Sequence, residues 1–166
     1  AKDGEKSTIQ GENILICTGC VSKELPPLPV NGKSVISSKE AMVIEEQPKE
    51  IIIIGAGAIG VEFAYFFNAF GTKVTIVEML PHILPVEDEE VSKTLEKSFK
   101  KQGINVLTNT KVIETKDNGD SVEITVEGKK TETLTADTCL VAIGVSPVIP
   151  SGKEIRTDRG FITVDE

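Results

Sequence analysis

Residues 51–78 restrict what this chain can fold into more than any other stretch. Four isoleucines, Ile51, Ile52, Ile53 and Ile54, run directly into Gly55-Ala56-Gly57-Ala58-Ile59-Gly60. A run that is apolar at every position suits a strand covered on both faces, as in a parallel sheet. A helix-patterned segment follows. It carries Ile59, Phe63, Phe66, Phe67 and Phe70 at helical spacing, and Gly71 closes it in the usual C-terminal position. A second β-like run, Lys73-Val74-Thr75-Ile76-Val77, ends on Glu78. Strand, glycine turn, helix, strand and acid form the plan of a dinucleotide-binding βαβ unit.

Each residue type in that plan has a physical reason. Gly55 permits the tight turn after the strand, Gly57 leaves room for a pyrophosphate beside the backbone, and Gly60 lets the helix pack close on the strand. The pyrophosphate is expected at the helix N-terminus, against unpaired N–H groups and the positive end of the helix dipole. Glu78 stands 18 residues after Gly60. It is expected to accept hydrogen bonds from the adenosine ribose hydroxyls, and its charge would repel a 2′-phosphate. Residues 79–84, from Met79 onward, offer His82 and no arginine to hold such a phosphate, so NAD is expected in preference to NADP. Glu62, two residues past Gly60, reads either as reaching the nicotinamide side of the ligand or as facing water. Four of the six phenylalanines sit on this helix. They read as a face packed on the sheet rather than as a stack on a cofactor ring.

Composition sets the outer bounds. At 166 residues there is room for one ordinary domain and some overhang. The formal charge of −8 argues against nucleic-acid or anionic-membrane binding, which both need a basic field. No apolar run approaches the roughly 20 residues that span a bilayer. The charged start, Ala1-Lys2-Asp3-Gly4-Glu5-Lys6, lacks the apolar core of a signal peptide, and a reducing, cytoplasmic setting is the expectation. Three cysteines do not make a disulfide framework. Cys17-Thr18-Gly19-Cys20 is a C-x-x-C that ends a strand pattern rather than opening a helix; it reads as structural or incidental ahead of a redox pair, and as zinc-binding last. His82, the one histidine, reads as a surface residue in a proline-flanked loop.

The rest of the chain divides by pattern. Residues 1–8 are polar and expected to be frayed or a turn. Asn13-Ile14-Leu15-Ile16-Cys17 reads as a short buried strand, and residues 22–34, with Pro26, Pro27, Pro29 and Gly32, as an extended crossing or linker. A short helix is expected after Ser37 or Ser38 as N-cap, ending before Pro48. Glu87-Asp88-Glu89-Glu90 opens a further helix with Val91, Leu95 and Phe99 on one face; acids at its start and Lys100-Lys101 at its end match the helix dipole. Ile104-Asn105-Val106-Leu107 is a further strand. Residues 110–116, 121–127 and 131–135 alternate polar and apolar around turn chemistry, which predicts an antiparallel meander. Residues 138–143 form a last apolar strand, and residues 161–164 a short one.

Beyond the fingerprint, several segments carry a resemblance. Residues 51–62, Val74-Thr75-Ile76-Val77-Glu78, Lys101-Gln102-Gly103, Asn109-Thr110-Lys111-Val112 and Val141-Ala142-Ile143-Gly144 resemble dihydrolipoyl (lipoamide) dehydrogenase, of the two-dinucleotide disulfide oxidoreductases. The resemblance covers roughly residues 12–166. It implies an α/β, three-layer Rossmann-like FAD/NAD(P)-binding fold with a parallel sheet and an antiparallel β-meander crossover. It further implies residues 1–21 as the tail end of an FAD-domain segment, 22–148 as the NAD-binding domain, and 149–166 as the return toward the FAD domain. Gly55, Ala56, Gly57, Ala58, Ile59, Gly60, Val61 and Glu62 would line the NAD pyrophosphate and nicotinamide side. Glu78 would hold the adenosine ribose, Val112 would contact the adenine end and Gly144 would lie along the ligand, with Met79 also among the cofactor-binding residues. Thr18 and Gly19 match the family's Ala-Thr-Gly near the flavin nucleotide, with Cys17 in place of the usual alanine. Where the family often has Gly-Arg-x-Pro, this chain has Gly144-Val145-Ser146-Pro147.

The resemblance implies a homodimeric parent with NAD and FAD as cofactors, the FAD held only by the full-length parent. That parent would oxidise dihydrolipoamide through a disulfide and FAD to NAD. The 166 residues hold no FAD-type N-terminal glycine motif, no Cys-x4-Cys pair and no C-terminal His-Glu pair. The expectation is therefore a central domain that binds NAD(H) without turnover and works with the remaining FAD and dimerisation domains. Other flavin disulfide reductases, or a non-catalytic NAD-binding module, are the alternatives.

Overall fold

The computed structural model describes residues 4, 7–151 and 155–165. Most of the polar start, expected to be frayed or a turn, lies outside the described residues. The chain falls into two compact units, Ala1–Val21 with Pro147–Glu166, and Ser22–Ser146. In chain order it runs β1 (Cys20–Ser22), β2 (Val35–Ile36), α1 (Ser38–Ala41), β3 (Glu50–Ile54), α2 (Ala58–Ala69) and β4 (Lys73–Val77). There follow α3 (Glu89–Gln102), β5 (Asn105–Leu107), β6 (Lys111–Asp117), β7 (Val122–Glu127), β8 (Thr131–Ala136) and β9 (Thr138–Val141). The last elements are β10 (Val145–Pro147), β11 (Thr157–Asp158) and β12 (Phe161–Ile162).

The larger unit is a three-layer α/β domain. Its five-stranded sheet has the order β2-β9-β3-β4-β5, and every pairing is parallel. β3 lies in the middle, with Ile53 opposite Ile76 of β4 on one side and Leu140 of β9 on the other. Strand alternation divides the isoleucines between two cores. Ile51 and Ile53 pack with Ala64, Phe67 and Phe99 from the helices. Ile52 and Ile54 pack with Val122, Ile124 and Val126 of the meander. Each buried isoleucine contributes about 1.5–3 kcal/mol relative to exposure. That is why the run carries no polar position. The meander β6-β7-β8 is antiparallel and covers the second face.

Local chemistry sets the helix ends. Ser37 caps α1: its Oγ accepts from the Lys39 amide, while its own amide and hydroxyl donate to Glu40 Oε2 at 2.9 and 2.6 Å. Asp88 caps α3 through the Glu90 amide at 2.8 Å, and Gly103, at φ +85°, ends it in the left-handed region that glycine tolerates. The acidic run 87–90 thus serves a helix start.

Several patterned faces settle differently from expectation. On α2 only Phe67 of the phenylalanines is fully buried, beside Gly60, Val61 and Ala64. Phe66 and Phe70 face outward and touch each other, with ring centroids 4.9 Å apart. A helix lying flat on a sheet buries a narrow stripe, and small residues occupy most of it here. On α3 Phe99 is buried but Val91 is half exposed, and the adjacent Ser92 points inward. The residues 13–17 form no strand; Ile14 and Leu15 are exposed, because no described residue pairs with them. Val35 and Ile36, between the crossing and the short helix, form an edge strand beside β9. In the smaller unit, residues 161–164 hold only the two-residue β12, which turns back through Arg159 and Gly160 to pair with β11.

Candidate functional site

The carboxyl ends of β3, β4 and β9 meet the start of α2 around a cleft of about 690 Å³. In open α/β sheets this is where ligands bind. Three glycines shape its floor. Gly55 has φ +100°, and a Cβ there would stand 2.5 Å from the Ala142 carbonyl oxygen at the end of β9. A Cβ on Gly60 would stand 2.0 Å from the Gly55 carbonyl oxygen. Neither position accepts a side chain without moving backbone. Gly57 is the contrast: nothing lies within 4 Å of where its Cβ would be. It is the N-cap of α2 and offers no side chain to the first-turn amides, and no acid occupies that turn. The helix therefore presents free N–H donors toward open space.

Glu78 follows β4 and is almost fully buried. Its Oε2 accepts from the Ala56 amide at 2.7 Å and its Oε1 from the Leu80 amide at 2.8 Å. The acid expected to hold a ribose is thus also the tie between the glycine turn and the strand exit. Each carboxylate oxygen has a second lone-pair direction. The Ala56 peptide is held from its other end too. Its carbonyl accepts from Leu84 N–H at 2.8 Å, and the Leu84 carbonyl in turn accepts from Ser92 Oγ at 3.3 Å. Leu84 has φ +48°, an unusual backbone for a leucine.

Of the residues singled out from the sequence, Gly55, Gly57, Ala58, Ile59, Glu78, Met79, Val112 and Gly144 line this one cleft. Ala56, Gly60 and Val61 lie beneath it, in the packing that shapes the turn. Glu62 is exposed and does not line it. Thr18 and Gly19 belong to the smaller unit, where Thr18 Oγ1 donates to the Val148 carbonyl and Val148 N–H donates to Gly19 O at 2.9 Å. His82 is half-buried rather than a free surface residue, with Nδ1 3.2 Å from the Ile83 carbonyl. Cys17 and Cys20 are both exposed and free, on a stretch with neither turn nor bend between them. Cys139 is buried in β9, and burial pushes its thiol pKa up.

The apolar walls were not foreseen. Leu25, Leu80, Pro85, Val86 and Ile143 line the cleft, together with Thr110 and Lys111. Leu25 comes from the segment read only as a crossing. Thr110 N–H donates to the Glu78 carbonyl at 2.9 Å, which brings the start of β6 to the acid.

These features define a Rossmann-like α/β domain with a glycine turn, an acid at the second strand end and an open helix N-terminus. Residues 1–166 match the family described as pyridine nucleotide-disulphide oxidoreductase, and the chain belongs to that family. It is 41% identical over 169 residues to the dihydrolipoyl dehydrogenase of Chlorobaculum tepidum, covering 98% of this chain and 36% of that protein. It is 45% identical over 174 residues to the dihydrolipoamide dehydrogenase of Chaetomium thermophilum, covering 99% of this chain and 34% of that one. Among solved structures it is similar to the HOCl-induced flavoprotein disulfide reductase RclA of Escherichia coli. That match has a TM-score of 0.77 at 30% identity, over 95% of this chain and 37% of the other. The chain thus spans about a third of the length of these relatives. Membership implies FAD and NAD as the cofactors of such proteins. Among the described residues no helix is long and apolar enough to cross a membrane.

Proposed function

We propose that this chain is the NAD(H)-binding domain of a dihydrolipoyl dehydrogenase. The observation that carries the reading is the pairing of Gly57, open above free helix amides, with the buried carboxylate of Glu78 in one cleft. The residues fit a dinucleotide: there is space where the pyrophosphate belongs, donors aimed at it, and an acceptor at the ribose end. Bound NAD would supply a nicotinamide able to accept hydride. The protein's part is positioning. The first turn of α2 holds the pyrophosphate, Glu78 and Met79 take the adenosine ribose, Val112 flanks the adenine, and Gly144 lies along the ligand. Leu25, Val86 and Ile143 exclude water from the walls. The buried Glu78 charge disfavours a 2′-phosphate.

In the parent enzyme the reading is oxidation of dihydrolipoamide with FAD and NAD+, in a cytoplasmic homodimer. Residues 22–148 would be the NAD domain, and 1–21 and 149–166 would belong to FAD-domain segments. The exposed Ile14 and Leu15 support that assignment, since the rest of the flavoenzyme would cover them. The cysteines Cys17, Cys20 and Cys139 include no Cys-x4-Cys pair, so this polypeptide alone is expected to bind NADH without lipoamide-dependent turnover. The test is NADH titration by fluorescence, followed by assay with dihydrolipoamide. Saturable binding without turnover supports the reading, whereas absence of binding, or turnover by this chain, overturns it.

A further inference from the structure

Beside Gly144, one of the residues that line the cleft, lies a cation that the glycine fingerprint does not predict. Gly144 follows β9, has φ +104° and lines the cleft beside Ile143 and Leu25. Lys23 N–H donates to the Gly144 carbonyl at 2.9 Å. The lysine side chain then runs back over the glycine. Its Cδ and Nζ lie 3.9 and 4.0 Å from the point where a Gly144 Cβ would stand, and among the described residues no other heavy atom outside residues 143–145 comes within 4 Å of that point. A side chain at 144 would compete with the lysine for this space. None of the ion pairs among the described residues uses Lys23, which is exposed.

The charges around the cleft are few. Of the residues that line it, only Glu78 and Lys111 are charged. Both sit at the β4 and β6 side, where Thr110 ties the two strands. The β9 side has Val145 after Gly144, which brings no charge. That side also lies against the glycine turn, since Gly55 meets the Ala142 carbonyl so closely. Lys23 therefore brings a cation to the β9 side, beside Gly144, where no lining residue carries a charge.

We infer that Lys23 is a second phosphate-binding group. Its ammonium contacts the pyrophosphate of the dinucleotide from the β9 rim, opposite the amides at the start of α2. The inference rests on the NAD(H) reading of the cleft. An ammonium suits this place because it is a compact charge on a flexible stem that can follow the phosphate. The contact is partly wet, so its strength falls with salt.

The test uses the 166-residue chain with Lys23→Met and Lys23→Arg. NADH affinity is read by fluorescence, and ADP-ribose and adenosine by displacement of NADH, at low and high potassium chloride. Thermal midpoints check that each variant folds. The expected result for Lys23→Met is weakening of NADH and ADP-ribose by about five-fold, the upper range for an exposed charge pair. Adenosine, which has no phosphate, binds as to the unaltered chain, and the salt dependence flattens. Lys23→Arg keeps affinity within about two-fold, because charge is retained. Unchanged ADP-ribose binding in Lys23→Met would overturn the inference, as would equal weakening of adenosine, which marks a structural role. If the unaltered chain binds neither NADH nor ADP-ribose, the reading of the cleft fails first and takes the inference with it.

Discussion

The carboxylate of Glu78 accepts the backbone amide of Ala56 at 2.7 Å across 22 residues of chain. One side chain at the end of β4 thereby fixes the turn that ends β3. Its second oxygen takes the Leu80 amide, so a single acid holds the buried Ala56 donor and the part-buried Leu80 donor. Charge-assisted bonds to backbone amides are stronger than neutral ones. The acid is therefore a part of the turn before any ligand arrives.

Glu78→Gln replaces one acceptor oxygen by an NH2 group that faces an N–H donor. Leaving a buried donor unsatisfied costs about 1–3 kcal/mol. Urea denaturation should show a loss in that range, and NADH affinity should fall with it. A variant as stable as the unaltered chain would mean the two hydrogen bonds do not hold the turn.

Gly57→Ala and Gly60→Ala should separate ligand space from packing space. At Gly60 the added Cβ meets the Gly55 carbonyl at 2.0 Å, and overpacking of this kind costs typically about 1–3 kcal/mol. At Gly57 the Cβ meets nothing, φ is −71°, and stability should change by less than about 1 kcal/mol, the scale of an N-cap preference. NADH binding should nevertheless be lost in Gly57→Ala. Thermal melts and NADH titration of the pair read both effects.

These glycines also mark what was legible in the sequence. The isoleucine run, the glycine spacing and Glu78 predicted β3, α2, β4 and their parallel order, because both sheet faces demand apolar residues and the turn demands small ones. The meander was equally plain, since Val122, Ile124 and Val126 alternate with polar residues. Residues 13–17 misled, because an apolar run says that burial is needed but not whether a partner strand is present. Phe66 and Phe70 misled because helical spacing fits a wider stripe than α2 buries. The cleft walls at Leu25 and Val86, and the clamp on Ala56 from Leu84, arise from loops whose paths no periodicity encodes.

Acid should weaken the capping of α1. The Ser37 hydroxyl, then its amide, hold the Glu40 carboxyl below its ordinary 4.5. A carboxyl lowered in the folded state stabilises the fold above pH 4.5, and that contribution disappears as pH falls through the lowered value. Ser37→Ala should cost about 1 kcal/mol at neutral pH through loss of the cap. It should also flatten the dependence of stability on pH below 4.5. Parallel pH curves for the two proteins would contradict this role.

The three thiols should react in two classes. Cys17 and Cys20 are exposed and should be modified by a thiol reagent in the native chain, with the same count before and after reduction. Cys139 should react only on unfolding, since it is buried with a raised thiol pKa. A native count that rises after reduction would restore a Cys17–Cys20 disulfide.

The most direct measurement is calorimetric titration of the chain with NADH and, separately, NADPH. The cleft reading predicts saturable binding of one NADH per chain and much weaker binding of NADPH, because in that reading the buried Glu78 carboxylate would face and repel a 2′-phosphate. Absence of NADH binding, or equal affinity for the two nucleotides, would contradict it.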